Sequence, residues 1–264
     1  MSKIAKALQK AEQAREPNNK ISLPNNVQWK KVDNAIADYT QTHIMKTDIL
    51  HFEKNRLLTD ETSLYIRDSF NVLRATILNM TRKKGLNSIM VTSPRRGEGK
   101  TTIATNLAMS LSRDVRHTAL LVDANLRWPA IAEIMGICRH EEGGLEDYLV
   151  EHSELPSILI NPGMEKFVVM PACKATAESA DLISSPRMQN LVEECKNRYP
   201  DRYVIYDCPH ILNMPDALVF STYVDGVILV VEEGKTSQED ICATVDILKD
   251  ANILGIILNK HSNS

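Results

Sequence analysis

Ser93-Pro94-Arg95-Arg96-Gly97-Glu98-Gly99-Lys100-Thr101-Thr102 decides how this chain folds. It follows the apolar, β-type run Ile89-Met90-Val91 and leads into Ile103 to Leu111, where apolar residues recur at helical spacing. The order is strand, tight loop, helix. A loop ending Gly-x-Gly-Lys-Thr at such a junction turns successive backbone N–H groups inward on a phosphate chain, with the positive end of the following helix behind them. Residues Arg96, Gly97, Glu98, Gly99, Lys100, Thr101 and Thr102 are the expected cradle for ATP, the two glycines supplying the backbone freedom of a concave loop. Lys100 would reach the β- and γ-phosphates, and the Thr101 hydroxyl would take a place on Mg²⁺. The first glycine of the usual Gly-x4-Gly-Lys-[Ser/Thr] pattern falls on Pro94.

Two later strands end in acids. Thr118 to Val122 is a short continuous apolar run, as expected for a buried parallel strand, and it closes in Asp123-Ala124-Asn125-Leu126-Arg127. An acid at the carboxyl end of a core strand sits where α/β sheets place their ligands. Asp123 there can orient or deprotonate a nucleophile, help position Mg²⁺, or simply cap a turn. Arg127 can neutralise phosphate charge. Tyr203-Val204-Ile205-Tyr206-Asp207 repeats the pattern, and Asp207 is the expected second holder of Mg²⁺ beside Thr101. His210 follows at once, and with no second histidine nearby its expected role is structural; Asp216 is expected to cap the next helix.

Gly226 to Val231 and Leu254 to Leu258 are expected as two more buried strands, with a helix opening near Thr236 between them. Strands alternating with helices give the fold class: α/β, a mostly parallel sheet flanked by helices; the loop at 93–102 resembles that of P-loop nucleoside triphosphatases of the deviant-Walker type. Asn259, just past the last strand, either reads an adenine edge or is one of the asparagines common after strands. Between residues 129 and 185 the chain is less regular, with a short helix expected after Gly143-Gly144 and a strand at Phe167 to Met170.

The 264 residues are enough for one good α/β core, and a formal net charge of −3 gives no nucleic-acid surface. Five cysteines without paired spacing read as reduced thiols, not as a disulfide framework or zinc site. No apolar run approaches the ~18–20 residues of a membrane span, so the expected location is cytoplasmic. Residues 1–60 are expected as an N-terminal helix (2–15) and a partly ordered polar linker, with Trp29 and Tyr39 pinning it to the rest. The helix either docks on a membrane or partner or stays solvated. Residues 61–264 then form the ATP-binding domain. It opens with a helix from Ser63 to Lys84, whose Asp68 and Arg74 face either a neighbouring subunit or solvent.

With these residues in place, the chain resembles the bacterial P-loop tyrosine kinases of exopolysaccharide loci. Ser-x-x-x-Gly-Glu-Gly-Lys-Thr at 93–101 matches their Walker A loop, Asp-Ala-x-Leu-Arg at 123–127 their second Walker motif, and Asp207-x-Pro209 their Walker B. Ser184 to Met188, Val230 to Thr236 and Leu258-Asn259-Lys260 also match. The resemblance implies Mg-ATP, assembly of a homo-oligomer into rings, and a membrane chain-length regulator as partner, which would hold the chain peripherally at the inner membrane. Several positions depart from the family: Asn125 stands for a second Asp, Pro209-His210 for Pro-Pro, and Asp68-x-x-Asn71-x-x-Arg74 for Glu-x-x-Arg-x-x-Arg, with its central cation gone. Tyr223 is the last tyrosine, where the family carries a C-terminal cluster, so the expected acceptor is internal or on a partner.

The leading reading is an Mg-ATP-dependent tyrosine kinase in which Lys100 stabilises the transferred charge, Thr101 and Asp207 hold Mg²⁺, and Asp123 orients the acceptor. The second is an ATP-occupied regulatory switch that docks on the polysaccharide-export machinery with little chemistry. A site-positioning ATPase comes last, because Arg95 stands where that group has a signature lysine.

Overall fold

The computed structural model describes residues 43–45, 47–137 and 143–261, which lie within the unit of chain 40–264. The expected helix at 2–15, the linker as far as residue 42 with Trp29 and Tyr39, and Cys138 lie outside the described residues. The described chain builds one eight-stranded sheet from β1 (His43–Ile44), β2 (Ser88–Thr92), β3 (Thr118–Asp123), β4 (Ile160–Asn161), β5 (Phe167–Met170), β6 (Arg202–Asp207), β7 (Gly226–Glu232) and β8 (Ile253–Asn259). The strand order is β1-β4-β5-β3-β6-β2-β7-β8. Every neighbouring pair is parallel except β4 with β5, which meet at Ile160 and Val169. The mostly parallel α/β sheet expected from the sequence is thus the fold.

The central strands are apolar on both faces because helices cover both. In β2, β6 and the first six residues of β7 every residue is buried. β8 differs from its expectation as a buried strand: it is the sheet edge, and Ile256 and Leu258 are 50% and 57% exposed. Nothing among the described residues pairs with its outer side, so an apolar run alone did not fix its place.

The helix after the phosphate loop, defined below as α3 (Lys100–Ser112), is buried almost all round, which explains its weak amphipathic pattern. The sheet lies on one side and α2 (Leu64–Thr81) on the other, while α1 (Ile49–Lys54) leads into a strap at 56–58. Asn106 of α3 ties that strap down: its Oδ1 accepts from Leu58 N at 2.8 Å and its Nδ2 donates to Arg56 O at 2.9 Å. Phe52, Leu57 and Leu58 join the core, so the last part of the 1–60 segment packs on the ATP-binding domain. In α2, Ile77 is buried, but Leu64 in the first turn is 72% exposed. Arg74 donates to Ser110 O of α3 at 2.7 Å, whereas Asp68 is exposed.

The remaining helices are α4 (Ile131–Met135), α5 (Leu145–Leu149), α6 (Ser179–Ser184), α7 (Pro186–Asn197), α8 (Pro215–Ser221) and α9 (Gln238–Ile247). α7 starts as its sequence suggests, with Pro186 in the first turn and Ser185 Oγ accepting from Met188 N. Among the described residues no helix is long and apolar enough to cross a membrane.

Candidate nucleotide site

Register brings the site together before any side chain is considered. β6 pairs with β2 so that Val91 lies beside Asp207, and with β3 so that Asp123 lies beside Asp207. The carboxyl ends of three adjacent strands therefore meet where the chain leaves β2 for the loop. The stretch after β6 follows the loop's entry, with Cys208 N donating to Val91 O and Ile211 N to Ser93 O at 3.0 and 2.9 Å.

The loop is concave because Gly97 and Gly99 lie at φ +89° and +93°, a region costly for any residue with a Cβ. A Cβ on Gly99 would also stand 2.1 Å from Asn259 Nδ2. Glu98 is buried and braces the turn: one oxygen accepts from Arg95 N at 2.8 Å and the other from the Thr236 hydroxyl. From the end of β8, Asn259 Nδ2 donates to Glu98 O at 2.8 Å and Lys260 Nζ to Gly97 O at 2.7 Å. Lys260 also pairs with Glu232 at 3.0 Å. Arg95 turns outward, its guanidinium donating to both carboxylate oxygens of Asp240 on α9.

At the floor, Thr101 Oγ1 donates to Asp207 Oδ2 at 2.6 Å and Lys100 Nζ lies 3.8 Å from Asp207 Oδ1. Lys100 is only 9% exposed, so its charge acts where water screens little. Burial raises Asp207 above the ordinary carboxylate range, while Lys100 and the Thr101 hydroxyl pull it back. Asp123 is raised as well, by burial first and then by Asp207 beside it. Its oxygens are already in use: Asn125 N donates to Oδ1 at 3.2 Å, and Ala130 N and Ile131 N to Oδ2 at 2.9 and 3.0 Å.

An open cleft of about 240 Å³ lies over this floor, walled by Lys100, Thr101, Asn125 and the side chains of Arg96, Trp128 and His210. The Arg96 guanidinium sits 4.7 Å from the Trp128 ring centre, and Trp128 stacks on His210 at 5.9 Å and 25°. Asn125 Nδ2 donates to Trp128 O at 2.8 Å, leaving a buried Oδ1 with no hydrogen-bond partner among the described residues.

The sequence-derived set therefore divides. Arg96, Gly97, Gly99, Lys100 and Thr101 wall the cleft, with Asp207 directly beneath. Thr102 lies in the first turn of α3, Glu98 behind the loop, and Asn259 is engaged with the loop backbone. Arg127 is not a cleft wall: its Nε donates to both oxygens of Asp216, at 3.2 and 3.0 Å. Asp216 is thus the second residue of α8 and Arg127's partner, with Met214 in the cap position that Asp216 was expected to fill. Trp128, Thr236, Asp240 and Lys260 escaped the sequence reading. Lys260, adjoining Asn259 in the matched Leu-Asn-Lys, and Thr236, closing the matched run from Val230, carried a local signal.

The residues present fit Mg²⁺ as a nucleotide-borne ion. Asp207 Oδ1 is buried without a hydrogen-bond partner among the described residues, beside the Thr101 hydroxyl. No group of three or more His, Cys, Asp or Glu among the described residues forms a metal cage, which suits a cation that takes its other ligands from phosphate and water.

Comparison with known proteins agrees with this architecture. The model of a family described as an AAA domain matches residues 86–254. The tyrosine-protein kinase CpsD of Streptococcus agalactiae serotype Ia is 30% identical over 200 residues, covering 74% of this chain and 82% of that protein. The tyrosine-protein kinase YwqD of Bacillus subtilis is 28% identical over 217 residues, 80% of this chain and 90% of that one. The succinoglycan biosynthesis transport protein ExoP of Rhizobium meliloti is 28% identical over 220 residues, 81% of this chain, which spans only 27% of ExoP. Among solved structures, the chimerical protein CapA2B2 superposes with a TM-score of 0.71 at 24% identity, over 84% of this chain and 94% of that one. By the span of the first match the chain belongs to the AAA-domain family, and by the extent of the CpsD match to the bacterial tyrosine-protein kinases.

Proposed function

We propose that this protein transfers the γ-phosphoryl group of Mg-ATP to a tyrosine hydroxyl, on its own chain or on a partner, in the service of exopolysaccharide synthesis and export. One observation carries the proposal: Lys100, Thr101 and Asp207 meet within 3.8 Å at the floor of one cleft, beneath a loop shaped by two left-handed glycines. The loop's backbone N–H groups and the start of α3 would hold the phosphates, and Lys100 would face the negative charge that builds as the γ-group departs. Thr101 and Asp207 would hold Mg²⁺, which when bound neutralises phosphate charge. Trp128 and His210 border the side from which an acceptor enters. Of the described tyrosines, Tyr203 and Tyr206 are buried in strands, whereas Tyr65 is exposed on α2 and suits transfer between copies. The polysaccharide setting is supported by ExoP, a succinoglycan biosynthesis transport protein. It suits a membrane chain-length regulator as the docking partner and an inner-membrane periphery as the place of work.

Incubation with Mg-ATP, read by intact mass for added phosphate and by free phosphate for hydrolysis, tests this beside Lys100→Ala. The expected result is phosphate on tyrosine in the wild type and a loss of at least ~100-fold in the variant. ATP binding without labelling or hydrolysis would support the regulatory switch instead, a reading favoured by one observation, the complete engagement of Asp123 by backbone donors.

A further inference from the structure

Transfer to a hydroxyl requires a destination for its proton, and the described aspartates around the cleft are buried and do not wall it. Asp123 is fully buried and receives three backbone N–H groups. Asp207 receives the Thr101 hydroxyl and faces Lys100. Asp216, 1% exposed, is taken by Arg127. Asn125 lines the cleft and keeps a buried Oδ1 with no hydrogen-bond partner among the described residues, but an amide accepts a hydrogen bond and not a proton near neutrality. Burial, and then Asp207, push Asp123 up to about 7, but it is 0% exposed and does not wall the cleft; of the side chains that do, the imidazole of His210 is the one that takes a proton in the physiological range.

The surroundings of His210 suit that task. Its ring is half-buried at the wall of the cleft and stacked on Trp128, whose ring also neighbours the Arg96 guanidinium. Partial burial, and then Lys100, Arg96 and Arg95 on the phosphate loop, hold its pKa below the ordinary histidine value, against a smaller opposite pull from Asp216 on α8. The ring is therefore neutral, and able to accept, at pH 7.

We propose that His210 is the proton acceptor of the phosphoryl transfer, with Trp128 as its positioning residue. The proposal rests on the tyrosine-kinase reading above. In the step, the acceptor's O–H bond breaks and its proton passes to a ring nitrogen of His210. The phenolic oxygen forms a bond to the γ-phosphorus of ATP. The bond from that phosphorus to the β–γ bridging oxygen breaks, and its electron pair leaves with ADP, facing Lys100. The proton returns to water from the half-exposed imidazole.

The test uses the full chain with Mg-ATP and a random glutamate–tyrosine copolymer as acceptor probe, following phosphotyrosine between about pH 5.5 and 8.5. A fluorescent ATP analogue reports binding in parallel. His210→Gln is expected to lower kcat for transfer ~100-fold while the analogue's Kd stays within ~2-fold, and to abolish the acid limb of the wild-type profile. His210→Ala is expected to recover transfer on addition of imidazole, a response that a purely structural role would not give. Transfer within ~3-fold of wild type in His210→Gln, with the acid limb intact, overturns the proposal alone. A wild type that binds the analogue but labels no tyrosine removes the kinase reading itself, and the proposal falls with it.

Discussion

Asp123 and Asp207 lie side by side on β3 and β6, both buried. Burial raises each above its value in an unfolded chain, with the Asp207 charge adding to the shift of Asp123 and Lys100 and the Thr101 hydroxyl opposing that of Asp207. The sign of the linkage follows. Between the unfolded value near 4 and the raised folded values, the native state binds more protons than the unfolded one, so stability falls as pH rises through that window. Replacing Asp207 by Asn removes one charge of the pair but keeps an acceptor for Thr101. The melting temperature of Asp207→Asn relative to wild type, followed without nucleotide, should therefore be most favourable at about pH 7.5 and decline toward pH 5. A difference independent of pH would mean that the two carboxyls do not share a charge.

At the scale of elements, the phosphate loop is held from behind by the end of β8 and the turn after β7. Asn259, Lys260 and Thr236 each reach loop atoms from positions far along the chain. Lys260→Ala should leave Gly97 O without its charged donor, lowering nucleotide affinity about tenfold in calorimetric titration and stability by about 1 kcal/mol in urea. Unchanged affinity would show that the glycines alone fix the loop. The same elements explain what could be read from sequence. Strand, loop and helix at 89–111, and the acids closing β3 and β6, are local patterns and were legible. The Trp128–His210 stack, the Arg127–Asp216 pair and the β8 latch join residues 82 to 163 positions apart, where spacing holds no signal. The edge position of β8 was hidden for a related reason: an apolar run does not say whether another strand will lie beside it.

For the molecule as a whole, stability rests on a sheet sealed on both faces, and its interior tolerates few polar atoms. Tyr206, fully buried on β6 against Phe220, carries a hydroxyl with no hydrogen-bond partner among the described residues. Tyr206→Phe keeps the ring packing and removes that hydroxyl, so it should raise stability by about 1 kcal/mol in a urea titration. A loss of similar size would reveal a bound water or partner that the hydroxyl serves. The same sealing brings the charges of Lys100, Asp123 and Asp207 together at one end of the sheet, where the strand ends open. The most direct test of that arrangement is a crystal structure with Mg²⁺ and a non-hydrolysable ATP analogue. It should show the β- and γ-phosphates on the N–H groups of residues 97–101, Lys100 against the γ-group, and the metal within reach of Thr101 and Asp207. A triphosphate bound elsewhere, or a metal that neither residue approaches, would contradict the account.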